Sequence, residues 1–100
     1  MIAKLVESAG GAQLWFWCAG CETHHAVTVR AYPSMPGPVW QWDQNLEAPT
    51  VSPSIRVDLG DGRVCHSFVR AGRFEYCADS THALAGQSVP LEPLEADLFE

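Results

Sequence analysis

Residues 13–30 read QLWFWCAGCETHHAVTVR, and the fold turns on them. Gln13 to Cys18 is dense in aromatics and suits a strand buried on both faces. Ala26 to Arg30 alternates, with Val27 and Val29 on one face and Thr28 and Arg30 on the other. Between them Cys18-Ala19-Gly20-Cys21 makes a tight reversal. The CxxC therefore sits at the tip of a β-hairpin, where zinc knuckles place it, with both thiolates leaning to one side. A redox CxxC needs a helix after the first Cys in a βαβ setting, and the strand on each side argues against that.

Outward from this hairpin the chain stays short-stranded. Seven Pro and eight Gly break it into pieces, which disfavours long helices. Ile2 to Glu7 reads as a first strand, followed by a turn at Ser8-Ala9-Gly10-Gly11. Ala31 to Pro38 is irregular, because its three Pro and one Gly suit neither helix nor strand interior. Val39 to Asp43 alternates as a strand, and Gln44 to Pro53 reads as a second irregular stretch. Ser54 to Leu59 alternates with Ile55, Val57 and Leu59 inward, and Gly60-Asp61-Gly62 turns the chain. Arg63 to Arg70, the turn Ala71-Gly72 and Arg73 to Ala78 form a hairpin. Its register sets Val69 opposite Phe74, Ser67 opposite Tyr76, and His66 opposite Cys77. A turn over Asp79 to Gly86, a last strand over Gln87 to Leu91 and a helical turn over Pro93 to Phe99 complete the reading.

Four Cys in 100 residues mean disulfides in an exported chain and metal in a reducing compartment. Met1 to Gly11 has no apolar signal core, so a cytoplasmic location is expected. A closed site needs four ligands, and the candidates beside Cys18 and Cys21 are His24, His25, Cys65, His66, Cys77 and His82. Cys65 and His66 are adjacent in a strand and face opposite ways, so one of them joins the site. The favoured set is Cys18, Cys21, Cys65 and His82, with His66 or His25 as substitutes. Asp79 is either a cap or the carboxylate that orients a ligand imidazole. Were only three groups to bind zinc, a metal-bound water would be the nucleophile and His25, His66 or Asp79 its base.

Six Lys and Arg against twelve Asp and Glu leave a charge of −6. The scattered basic residues disfavour nucleic acid as a partner, and the acidic surface favours a basic protein. No apolar run reaches the ~18 residues of a membrane span. Trp15, Trp17, Trp40 and Trp42 supply either core bulk or an exposed aromatic platform. Asn45, Thr50, Ser52 and Ser54 lie on a stretch stiffened by Pro49 and Pro53, which forms either a binding rim or ordinary corners.

Taken together, Trp15 to Cys21 with His25, Trp40-Gln41-Trp42, Pro49 to Ile55, Cys65-His66-Ser67-Phe68-Val69, Gly72-Arg73 and Asp79 to Val89 resemble a family of small uncharacterised phage and prophage proteins, sometimes labelled ammonia monooxygenase. The resemblance spans about residues 15–91. It implies a phage or prophage origin and a Cys/His metal site drawn from Cys18, Cys21, His25, Cys65, His66 and His82. The family pattern does not ask for Cys77. The oxygenase label conflicts with the lack of a membrane-spanning run.

The expectation is one zinc-binding β domain over residues 1–100: a small antiparallel sheet or partly open barrel, mostly β, with a zinc-knuckle hairpin and a short C-terminal helical turn. One structural Zn2+ is expected. The expected role is a phage-encoded binding or regulatory module that engages a host or phage protein. The alternative is a small zinc-dependent hydrolase. Oligomeric state and catalytic residues are left open.

Overall fold

In the computed structural model, residues 1–94 are described. Eight strands follow in order: β1 (Ala3–Ser8), β2 (Gly11–Cys18), β3 (Thr23–Arg30), β4 (Gln41–Trp42), β5 (Val51–Gly60), β6 (Arg63–Arg70), β7 (Arg73–Tyr76) and β8 (Ser88–Pro90). They form a three-stranded sheet, β1-β2-β3, and a five-stranded sheet, β4-β5-β6-β7-β8. Every pairing is antiparallel. The chain is thus mostly β, as the alternation predicts, but the two sheets do not close into a barrel. No helix occurs among the described residues. Of the expected helical turn, Pro93 and Leu94 are not helical, and the remainder lies outside the described residues.

Three two-residue hairpin turns set the registers. Ala9-Gly10, Asp61-Gly62 and Ala71-Gly72 all have positive φ at both positions. That mirror-image turn matches the right-handed twist of the flanking strands. The hairpin turned at Ala71-Gly72 pairs Val69 with Phe74 and Ser67 with Tyr76, as read from the sequence, and Cys77 N–H donates to His66 O at 2.8 Å just beyond it.

The buried faces of the two sheets share one core. Leu14, Phe16 and Cys18 from β2 and Val27 from β3 join Ile55, Cys65, Val69, Phe74 and Tyr76 from the larger sheet. Phe16 meets Phe74 edge-on at 5.6 Å, and Phe74 stacks on Tyr76 at 4.9 Å. Strand β2 is not buried on both faces. Its burial alternates, and Gln13, Trp15 and Trp17 are only half-buried, because the smaller sheet has the core on one side alone.

Strand β3 begins at Thr23, three residues before Ala26, β7 ends at Tyr76, two before Ala78, and the boundaries of β4 and β5 also move. The predicted strand Val39 to Asp43 shrinks to Gln41–Trp42. Pro36 and Pro38 remove donors before it, and Asp43 Oδ1 accepts the Asn45 and Thr50 amides to shape the loop after it. Strand β5 starts three residues earlier than Ser54, at Val51. Pro53 is tolerated there because the pairing with β6 shifts register between Val51 and Ile55.

Candidate active site and metal cluster

Strand β6 is the centre of the site. Cys65 is buried and faces the core, while its neighbour His66 faces outward. Each side then gathers its own chemistry.

On the inner side, donor atoms of Cys18, Cys21, Cys65 and His82 lie within 4.8 Å of one another, an arrangement that can hold a metal ion. Cys18 and Cys21 come from the β2–β3 turn. Cys21 N–H donates to Cys18 Sγ at 3.4 Å, and the turn closes through Glu22 N–H to Cys18 O at 2.8 Å. All four cysteines are free thiols. Cys18 Sγ and Cys65 Sγ are 3.9 Å apart, close to the ~3.8 Å separation that a tetrahedral ion with Zn–S near 2.3 Å imposes. His82 Nε2 is buried with no hydrogen-bond partner, which is costly unless a ligand compensates it. The His82 ring lies directly over Gly20, where an added Cβ would fall 2.4–2.6 Å from ring atoms. The donors present therefore fit a metal.

The protons of this cluster point the same way. Cys18 is pulled down to about 3, chiefly by the Cys65 S–H that it accepts, and further by His25 and by the Tyr76 hydroxyl. Tyr76 Oη donates to Cys18 Sγ at 3.1 Å and accepts the Gly20 amide at 3.2 Å. Cys65, as the donor to Cys18 and a buried group, is pushed well above the ordinary thiol range. Burial, and then the negative Cys18 sulfur, raise Cys21 to about 11. Three crowded sulfurs thus hold one negative charge between hydrogen bonds, and a cation would replace their remaining protons.

On the outer side, three groups stand in a hydrogen-bonded row. Ser54 Oγ is 3.1 Å from His66 Nε2. His66 Nδ1 is 3.1 Å from both carboxylate oxygens of Asp79. Arg56 lies 3.7 Å from the same carboxylate. Strand pairing explains the first contact. Arg56 stands opposite His66, so Ser54, two residues earlier, shares its face and reaches His66 diagonally. The second contact comes from the segment after β7. Ser80 Oγ accepts His66 N–H at 3.0 Å and donates to His66 O at 2.8 Å. Thr81 repeats this at Val64, accepting its N–H on Oγ1 at 2.9 Å and donating its own amide to Val64 O at 2.9 Å. The segment is clamped to β6 with Asp79 beneath the imidazole and His82 reaching the inner group of cysteines.

A hydroxyl, imidazole and carboxylate in this order can deprotonate the hydroxyl as it attacks a carbonyl. The sequence reading named Ser54 only as a loop polar group, because 12 and 25 residues separate it from His66 and Asp79. His66, a substitute metal ligand in that reading, faces away from the cluster as strand alternation requires. His25 is buried beside Cys18 but is not among the four grouped donors. His24 packs against Trp17 at 5.0 Å.

An open cleft of about 700 Å³ runs past Trp40, Trp42, Val39, Leu5 and Val29, and none of Ser54, His66 and Asp79 lines it. Trp40 Nε1 donates to Ser54 O at 3.2 Å, which ties the cleft wall to the serine backbone. No helix among the described residues is long and apolar enough to cross a membrane.

Residues 2–77 match the family described as bacterial ubiquitination-like system serine protease, BubE. No curated protein and no solved structure matches the chain. Ser54 and His66 fall inside the matched stretch, and Asp79 and His82 lie just past it. The match is to a bacterial family and carries no information on a phage origin. Because it takes in more than half of the chain, residues 2–77 of 100, this protein belongs to the BubE family and so to a bacterial ubiquitination-like system.

Proposed function

We propose that the protein is a serine protease whose nucleophile is Ser54, whose general base is His66 and whose orienting carboxylate is Asp79. The observation that carries this reading is the row Ser54 Oγ, His66 Nε2, His66 Nδ1, Asp79, with 3.1 Å at each hydrogen bond. Asp79 keeps the imidazole proton on Nδ1, so Nε2 faces Ser54 with a lone pair. As Ser54 Oγ attacks the substrate carbonyl, its proton passes to Nε2, and the imidazolium formed is stabilised by Asp79. His66 then gives that proton to the leaving amine. Water enters by the same route in reverse and frees the serine. A protein chain of the ubiquitin-like system is the substrate class in keeping with the family.

In this reading the metal is structural Zn2+. Cys18, Cys21, Cys65 and His82 would hold it, and four protein donors would leave no position for a water, which speaks against the zinc-hydrolase alternative. Zinc, when bound, supplies a cross-link between the β2–β3 turn, β6 and the segment that carries Asp79. A module that only binds a host protein would need no such triad.

A fluorophosphonate probe tests the proposal. The expected result is one covalent adduct on Ser54 by peptide mass mapping, absent in Ser54→Ala and strongly reduced in His66→Ala. An adduct elsewhere, or none on folded, metal-loaded protein, overturns it.

A further inference from the structure

On the solvent side of β6 a thiol sits beside the triad that the mechanism does not use. Cys77 is paired across from His66, with its amide donating to His66 O at 2.8 Å, so both side chains face the same way. The donor atoms of His66, Cys77 and Asp79 all lie within 4.8 Å of one another. This group is separate from the inner cluster, since Cys65 and His66 project to opposite faces of one strand.

We propose that His66, Cys77 and Asp79 form a second, inhibitory site for a thiophilic divalent cation such as Zn2+, which switches the triad off reversibly. The inference rests on the triad reading above and adds its regulation. Imidazole nitrogen, thiolate and carboxylate are the donor types zinc selects. Around zinc these donors stand about 3.3–3.8 Å apart, so the half-exposed Asp79 and Cys77 side chains need to close by only about 1 Å. Arg56, 3.7 Å from Asp79 and itself exposed, swings away as the cation arrives. With three protein donors and an open fourth position, the site binds more weakly than the inner one. It therefore loads and empties while the structural ion stays.

The inhibitory step follows from the ring. The nitrogen that faces Asp79 is Nδ1. A cation among the three groups takes the Nδ1 lone pair and the carboxylate, and Cys77 releases its thiol proton to solvent. The imidazole proton then resides on Nε2, which points at Ser54 as a donor. The ring can no longer accept the serine proton, and nucleophilic attack stops.

Two measurements decide the matter on full-length protein holding its inner metal. The rate of fluorophosphonate labelling of Ser54 is followed against added ZnCl2, with EDTA at a level that spares the inner site as the reversal. Cys77→Ala is expected to label at the wild-type rate without added zinc. Its half-inhibition should shift upward by about tenfold or more, the scale on which losing even an indirect metal contact acts. Separately, Co2+ is titrated into Ser54→Ala protein, and thiolate-to-metal absorption is read. One further equivalent is expected, and it should vanish when Cys77→Ala is added. Equal zinc inhibition of wild type and Cys77→Ala, or no further cobalt equivalent, overturns the proposal. If the wild type fails to label even without zinc, the triad reading has failed. The cobalt titration would still report whether the second site exists, but the inhibitory role would fall with the triad.

Discussion

At the residue scale, the site hangs on contacts of a few ångströms. Ser54→Ala removes the only nucleophile of the row and is expected to cut peptide hydrolysis by roughly 10⁴-fold or more, measured as kcat/KM on a cleavable peptide. Asp79→Asn puts an amide opposite His66 Nδ1 and favours the wrong tautomer. Asp79 is about half exposed, 54% by side chain, so water screens and partly replaces it. The expected loss falls short of the ~10⁴-fold that a buried carboxylate gives. Gly20→Ala is a test of the inner cluster. Its Cβ would meet the His82 ring at 2.4–2.6 Å, a distance no packing permits. The expected outcome is displacement of His82, loss of bound metal by elemental analysis and a lower Tm.

At the scale of elements, β6 and the segment after β7 each serve both sides of the sheet. Cys65 and His66 are neighbours on β6. Asp79 and His82 are neighbours on the clamped segment. Ser80 makes the clamp, buried at 7% exposure, with two hydrogen bonds to the His66 backbone. Ser80→Ala leaves that N–H without this partner, at a cost of about 1–3 kcal/mol, while the C=O keeps the Cys77 amide. Because Asp79 precedes it directly, kcat should fall with little change in KM, read by steady-state kinetics beside a thermal melt. The turn at Ala71-Gly72 gives a control away from the site. Gly72→Ala would force a side chain at φ 76° and bring its Cβ to 2.9 Å from Ala48 Cα. Stability should drop while the labelling of folded protein by fluorophosphonate stays.

At the scale of the whole molecule, a metal held by Cys18, Cys21, Cys65 and His82 would couple the sheets to the proposed triad. Removing it should lower stability by about 4 kcal/mol if the ion is held at 1,000 times its Kd. For a domain of this size that is a Tm fall of roughly 15–30 °C, and Ser54 labelling should fall in parallel. The metal-free protein also carries a pH signature. Cys21 holds its proton to about 11 in the fold, against an ordinary 9.0. The unfolded chain therefore releases that proton first as pH rises. The stability this thiol contributes is intact below about 9 and is lost as pH rises toward about 11. Cys65, raised as well, acts in the same direction. Denaturant melts of chelated protein at pH 8, 9, 10 and 11 should show this decline, and metal-loaded protein, whose thiols carry no proton, should lack it.

Sequence by itself determined the hairpins, since alternation of period two and paired positive-φ turn residues act within a few neighbours. It also determined that Cys65 and His66 take opposite faces, because adjacent strand residues must diverge. It could name Cys18, Cys21, Cys65 and His82 as candidates, because a CxxC at a strand reversal has few other uses. It favoured Cys65 and His82 but kept His66 as a substitute, for bringing Cys65 and His82 to the knuckle depends on how one sheet stacks on the other. Ser54 is the plainest case of what only the tertiary structure decided. A serine hydroxyl carries no spacing signal, and its meaning comes from an imidazole on the next strand. That imidazole is oriented by a carboxylate on a third segment, and sequence distance does not encode a meeting in space.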